Sequence, residues 1–324
     1  MTTVTGRDLV DELAKVVAPT SSGFSVRDVP SAPGYKVGRG ADGAVALLTP
    51  PDAAPEPPTR LRTLQLEPRA LVRFDAEDGS SVEAEHGVVQ LWLQSDELLE
   101  PFLGVAATIV RLLGPDPAPG EVSAGLRRLV RIFDPAQPPR SSVLGLWAEL
   151  LVIDLARDTA AMVDAWHAHV DARFDFSADG SRLEVKATSK DVRVHQVNLR
   201  QLLPVVGAET MLASVMTTET RAGTSLAALV DRIEQRLVGD TPRQVVLHEV
   251  VADTLGTDWV RHVGRRFDEK QGRESLAFLD PATVPQVGDV PPEVLEVLLT
   301  VDCTDVPQVR PTTGLAALVA SRPA

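Results

Sequence analysis

The chain has 324 residues, 44% hydrophobic and 24% charged, which is enough apolar material for one large domain or two small ones. Its single cysteine, Cys303, excludes an intramolecular disulfide framework. The net charge of -13 makes it a poor autonomous binder of DNA, since non-specific binding is driven by Lys and Arg neutralising phosphates. The start Met-Thr-Thr-Val carries no basic or apolar leader, and no apolar run approaches the roughly 20 residues of a membrane span. The expectation is a soluble cytoplasmic protein with no membrane partner.

Residues 1–17 place Leu9, Val10, Leu13, Val16 and Val17 at helical spacing and predict a short packing helix. From Tyr35 to Gln94 the chain reads as strands broken by Gly and Pro, with strands at 45–48, 70–74 and 88–93 and turns at Asp42-Gly43 and Asp78-Gly79. The proline-rich segment 50–58 reads as a surface loop. Ser95 or Asp96 then caps a helix through Leu113. A second helix over 120–133 sets Leu126, Leu129, Val130 and Phe133 on one face, with Asp134-Pro135 as its stop. Arg127, Arg128 and Arg131 make its other face basic, which reads as a solvated or partner-facing surface more readily than as a DNA contact.

Residues 143–155 are apolar nearly all round, so this helix should be largely buried. Glu149 is its one charge before Asp154. An unpaired buried carboxylate costs several kcal/mol, so Glu149 needs a partner or an opening to water. An exposed helix edge is the plain alternative.

The next stretch, 173–186, organises the chain. Asp179-Gly180 between two alternating runs signals a two-residue hairpin, because such turns need positive φ and Gly supplies it without steric cost. Counting outward pairs Phe176 with Leu183, Asp175 with Glu184, and Phe174 with Val185. Phe174, Phe176, Leu183 and Val185 then share one face. Arg173, Asp175, Ser177, Arg182, Glu184 and Lys186 share the other. Two carboxylates opposite each other on a sheet repel unless something positive lies between them. Lys186 relieves this in part, and a divalent cation with oxygen ligands would relieve it better. Two readings stand: a solvated polar face, or a metal site for phosphodiester hydrolysis.

Beyond the hairpin, 192–197 reads as a strand, 198–203 as a short helix and 211–216 as a strand. Helices follow at 225–237 and 243–251, and 265–309 reads as β-rich with proline-containing connections. His167-Ala168-His169 offers weak grounds for a zinc site, since histidines at i and i+2 do not share a helix face. Cys303 reads as a core residue. Neither a phosphate-binding loop nor a G-x-S-x-G elbow is present in the sequence.

Asp175, then eight residues, then Glu184-Val185-Lys186 forms the D…E-x-K pattern of the PD-(D/E)XK nuclease superfamily, preceded by the helix carrying Glu149. More closely, the chain resembles a bacterial family of PD-(D/E)XK motif proteins encoded in restriction and phage-defence gene clusters. The resemblance rests on Gly145-Leu146-Trp147-Ala148-Glu149-Leu150-Leu151, Trp166, Phe174-Asp175-Phe176, Leu183-Glu184-Val185-Lys186-Ala187-Thr188 and segment 194–202 with Gln201-Leu202. Phe174 stands where the superfamily name has proline, a position with no chemical role. The resemblance implies an α+β or α/β fold of restriction-endonuclease-like type. Its α-β-β-β-α-β core carries a mixed sheet and follows a β-rich N-terminal region. The divisions expected are 1–137 for the β-rich region with its helices, 138–255 for the nuclease-like core and 256–324 for a β-containing C-terminal part.

The resemblance also implies a site. Asp175, Glu184, the Val185 carbonyl and Glu149 would hold Mg²⁺, with Mn²⁺ as a substitute, while Lys186 orients or deprotonates the attacking water. The function implied is a Mg²⁺-dependent DNA endonuclease, or the nuclease subunit of a restriction-like anti-phage system. The alternative is a non-catalytic scaffold that keeps the fold. Given the acidity, DNA is expected to arrive with other subunits of such a system, and the chain is open to homo-oligomer formation.

Overall fold

The structure is a computed structural model describing residues 4–20, 22–61, 63–76, 79–92, 99–133, 142–167, 173–256 and 262–320. Four sequence expectations lie outside these residues: the Ser95 or Asp96 cap, the Asp134-Pro135 stop, Asp78 of one turn, and the Ala168-His169 pair. The chain divides into two compact units, Met1–Pro138 with Asp240–Val260, and Pro139–Gly239 with Arg261–Ala324. Among the described residues no helix is long and apolar enough to cross a membrane.

The first unit opens with helix α1 (Gly6–Leu13), whose Thr5 and Asp8 form a reciprocal capping box. Strands β1 (Phe24–Asp28), β2 (Lys36–Gly40), β3 (Val45–Thr49), β4 (Thr59–Arg60), β5 (Leu64–Asp75) and β6 (Ser81–Leu91) follow. They pair in the order β1-β2-β3-β6-β5-β4. A parallel β1–β5 pairing, Phe24 with Phe74, closes the sheet on itself. The β5–β6 register slips between Glu67 and Ala70, where Pro68 has no N–H to offer the ladder.

The proline-rich loop is less free than its composition predicts. Asp52 is 1% exposed and accepts hydrogen bonds from the Gly120 and Ser123 amides and the Ser123 hydroxyl. It thereby caps α3 (Glu121–Phe133), which follows α2 (Leu99–Leu113). Arg127 pairs with Glu56, and Arg128 and Arg131 face Glu249 at 3.6 and 3.5 Å, so the basic face of α3 is largely answered within its own unit.

The second unit begins with α4 (Val143–Leu155), capped by the Ser142 hydroxyl, and α5 (Thr159–Ala165). Next come β7 (Phe176–Ala178), β8 (Ser181–Thr188), β9 (Val194–Asn198), α6 (Leu199–Leu202), β10 (Glu209–Met216), β11 (Glu219–Ser225) and α7 (Leu226–Arg236). The remaining strands are β12 (Arg266–Phe267), β13 (Ala277–Leu279), β14 (Leu298–Asp302) and β15 (Gln308–Val309). A mixed sheet runs β15-β13-β10-β8-β7, with β8 and β10 parallel and the other pairs antiparallel. Together the two units give a mixed α+β fold. The strand β9 pairs with β14 outside the five-stranded sheet. Cys303, fully buried, packs with Val197, Leu212 and Leu279.

The C-terminal part is less β-rich than expected. Its strands are short, and Glu269–Ser275 is a helix capped by Asp268, because the polar run after Phe267 has a cap residue and no alternation to hold a strand. Sequence reading also passed over α5, β1 and β11.

Candidate active site

The hairpin positions the site. β7 and β8 pair Phe176 with Leu183, Ser177 with Arg182 and Ala178 with Ser181, leaving Asp179 and Gly180 as the two-residue turn, with Gly180 at φ +68°. Phe174, Phe176, Leu183 and Val185 are each 5% exposed or less, so this face is fixed in the core. The remaining two expected pairs, Asp175 with Glu184 and Phe174 with Val185, do not form, because the ladder stops at Phe176. The reason is local. The Asp175 carboxylate takes the Val185 amide itself, Oδ2 accepting at 2.7 Å, while the Asp175 amide donates to Glu184 Oε2 at 3.3 Å. The Asp175 carbonyl meanwhile accepts from the His167 amide at 2.8 Å. A strand residue sends its N–H and C=O to the same edge, so the Val185 carbonyl also leaves toward Asp175.

Glu149 reaches this point from α4. It is 3% exposed, and its Oε2 accepts from Trp166 Nε1 at 2.8 Å and lies 3.0 Å from His167 Nε2. Glu184, also 3% exposed, is held through Oε1 by Lys186 Nζ at 2.6 Å and Gln201 Nε2 at 2.7 Å. Gln201 sits there because Asn198 and Gln201 form a capping box at the start of α6. Glu149, Asp175, Glu184, Val185 and Lys186 line one cleft of about 330 Å³. The four side chains singled out from sequence thus line one cleft, while Arg173, Asp175, Ser177, Arg182 and Lys186 of the polar hairpin face stay partly exposed.

The electrostatics are unbalanced. Burial, then the charges of Glu184 and Glu149, push the Asp175 carboxyl well above the ordinary carboxylate range, and the Val185 amide and Lys186 offset this only in part. Burial likewise raises Glu184 against the pull of Lys186. Two buried carboxylates and the half-buried Asp175, offset among the described residues by Lys186, are short of positive charge, and oxygen donors of this kind suit a hard divalent cation. Among the described residues, Glu149, His167 and Asp175 present ligand atoms all within 4.8 Å of one another. The donor set therefore fits a cation.

Sequence reading set His167 aside and gave His195 no role; His195 lines the cleft, and His167 lies against Glu149. His167, set aside with His169 as a poor helix-face pair, is not helical at all. It follows α5 with φ +43° and its ring turns to Glu149. Its adjacency to Trp166, which binds the same oxygen, was the available signal. His195 on β9 lines the cleft and is 3% exposed. Burial and the charges of Arg193 and Lys186 bring it down to about 4, so it is neutral at pH 7, with Nε2 2.8 Å from Ser214 Oγ.

A family model described as "Putative PD-(D/E)XK family member, (DUF4420)" matches residues 27–303. No curated protein and no solved structure matches the chain.

Proposed function

Since the chain belongs to this PD-(D/E)XK family, we propose that it is a Mg²⁺-dependent DNA endonuclease, acting alone or as the nuclease subunit of a restriction-like anti-phage system. The observation that carries the reading is the convergence of Glu149, Asp175, Glu184 and Lys186 on one cleft.

In this reading Asp175, Glu184 and Glu149, with the Val185 carbonyl, hold the cation. Held by these residues, Mg²⁺, or Mn²⁺ in its place, would supply Lewis-acid polarisation of the phosphoryl oxygen and acidification of a water. Lys186, one-fifth exposed, has a donor free to turn from Glu184 toward the incoming water and the charge that grows on the phosphate. Gln201 keeps Glu184 in place while the lysine does so, and Trp166 keeps Glu149 in place. Each carboxylate is thus positioned by a neutral donor, and the lysine is left to the reaction.

The net charge of -13 favours DNA delivered by partner subunits, and it also sustains a second reading, a non-catalytic scaffold in the same kind of complex. Plasmid cleavage by the purified chain, with Mg²⁺, Mn²⁺ or EDTA and with or without the products of neighbouring genes, separates the two. Metal-dependent cleavage abolished in Lys186→Ala supports the nuclease. No cleavage under any of these conditions supports the scaffold.

A further inference from the structure

We propose that His167 is a nitrogen ligand of the cleft's cation, so that the site prefers a first-row transition ion such as Mn²⁺ to Mg²⁺. The proposal rests on the cation-binding reading given above and adds a ligand that ranks the two ions by affinity. Oxygen ligands alone favour hard ions, whereas an imidazole adds affinity for later first-row ions in the Irving–Williams order.

The preformed geometry favours His167. Of the carboxylates at the cleft, Glu184 has Oε1 engaged by both Lys186 and Gln201 and Oε2 by the Asp175 amide. The compact group of ligand atoms within 4.8 Å consists of Glu149, His167 and Asp175. An ion bonded at about 2.0–2.2 Å to nitrogen and oxygen needs its ligand atoms within about 4.4 Å of one another, so a small contraction of this group closes it on one ion. His167 is tied to both partners: its amide donates to the Asp175 carbonyl at 2.8 Å, and its Nε2 faces Glu149 Oε2 at 3.0 Å. Its positive φ of 43° is uncommon for a residue other than glycine and aims the ring at Glu149. At 31% side-chain exposure, the ring leaves an ion a route from water. The imidazole that lines the cleft, His195, has its Nε2 2.8 Å from Ser214 Oγ and does not belong to the compact group of ligand atoms.

The test uses the full chain with Mn²⁺ and Mg²⁺ as probes. Titration calorimetry gives both affinities for wild type, His167→Ala, His167→Gln and Asp175→Asn, with far-ultraviolet circular dichroism to verify folding. Pulsed electron paramagnetic resonance of the Mn²⁺-loaded protein reads nitrogen coordination directly. Expected are nitrogen modulation in wild type that disappears in both His167 variants, and a Mn²⁺ Kd raised at least about tenfold with a far smaller change for Mg²⁺. Mn²⁺ that binds in an Asp175-dependent way without nitrogen modulation, or with modulation that survives His167→Gln, overturns the histidine ligand and leaves the nuclease reading standing. Failure of wild type to bind either ion, or binding indifferent to Asp175→Asn, overturns both.

Discussion

Glu149 and Asp154 lie on the same helix, are almost equally buried, and meet opposite surroundings. Asp154 Oδ2 is 3.1 Å from Arg232 and 2.9 Å from Arg273, and the same arginines bind Glu269. Glu149 meets an indole, an imidazole and two further carboxylates, whose cationic partner among the described residues is Lys186. The contrast appears in the acids themselves. Burial would raise Glu269, but hydrogen bonds from Thr224, Arg232 and Arg273 outweigh it and hold the carboxyl at about 2. For Asp175 burial and neighbouring carboxylates act together, and the group rises. Acids that hold a fold together are matched by cations of the same chain. Acids gathered without such cations are set up for a positive charge from outside.

The largest expected effect separates the two clusters by activity. Lys186→Ala and Asp175→Asn should each lower the DNA cleavage rate by at least about 10²-fold, the scale of removing one group that stabilises transition-state charge. Asp154→Asn should leave the rate per folded molecule near that of wild type. Equal losses in all three would merge the clusters into one functional unit.

Stability should run the other way. In EDTA, Asp154→Asn should cost about 1–3 kcal/mol in denaturant unfolding, the scale of a hydrogen bond to a charged group, discounted here because both arginines are partly exposed. Under the same conditions Asp175→Asn should be neutral or stabilising, since it removes a like charge. A destabilisation equal to that of Asp154→Asn would mean that the Val185 hydrogen bond outweighs the repulsion.

A smaller effect is expected with pH, again with opposite signs. The depressed Glu269 contributes stability present above its unfolded value of about 4.3 and lost as pH falls toward about 2. The raised Asp175 contributes stability present below its unfolded value of about 3.9 and lost as pH rises through its elevated folded value. Melting temperature against pH in EDTA should therefore fall on both sides. Glu269→Gln should flatten the acid limb and Asp175→Asn the other.

How far the sequence foretold this differs between the clusters. The site was legible because local rules dictate it: the Asp179-Gly180 turn sets the register, and an apolar helix makes Glu149 conspicuous. Its departure at Asp175 was not, since a carboxylate that takes over a ladder amide leaves no trace in the alternation. Gln201 was noted only as part of a resembling segment, and its grip on Glu184 depends on how α6 is capped. The Asp154 network was invisible. Its arginines come from α7 and from the helix Glu269–Ser275, which the sequence read as β-rich, so only tertiary packing brings them to Asp154. The closure of the first unit's sheet through β1 and β5 was hidden for the same reason.

The most direct measurement is the melting temperature of wild type and Asp175→Asn, each in EDTA and in saturating Mg²⁺ or Mn²⁺. An ion that binds the folded chain alone stabilises it by about 2.7 kcal/mol at a hundred times its Kd. The expected result is a clear upward shift for wild type and none for Asp175→Asn, whose metal-free melting temperature equals or exceeds that of wild type. A wild type indifferent to both ions, or a shift that survives in Asp175→Asn, would contradict a cation site at this cleft.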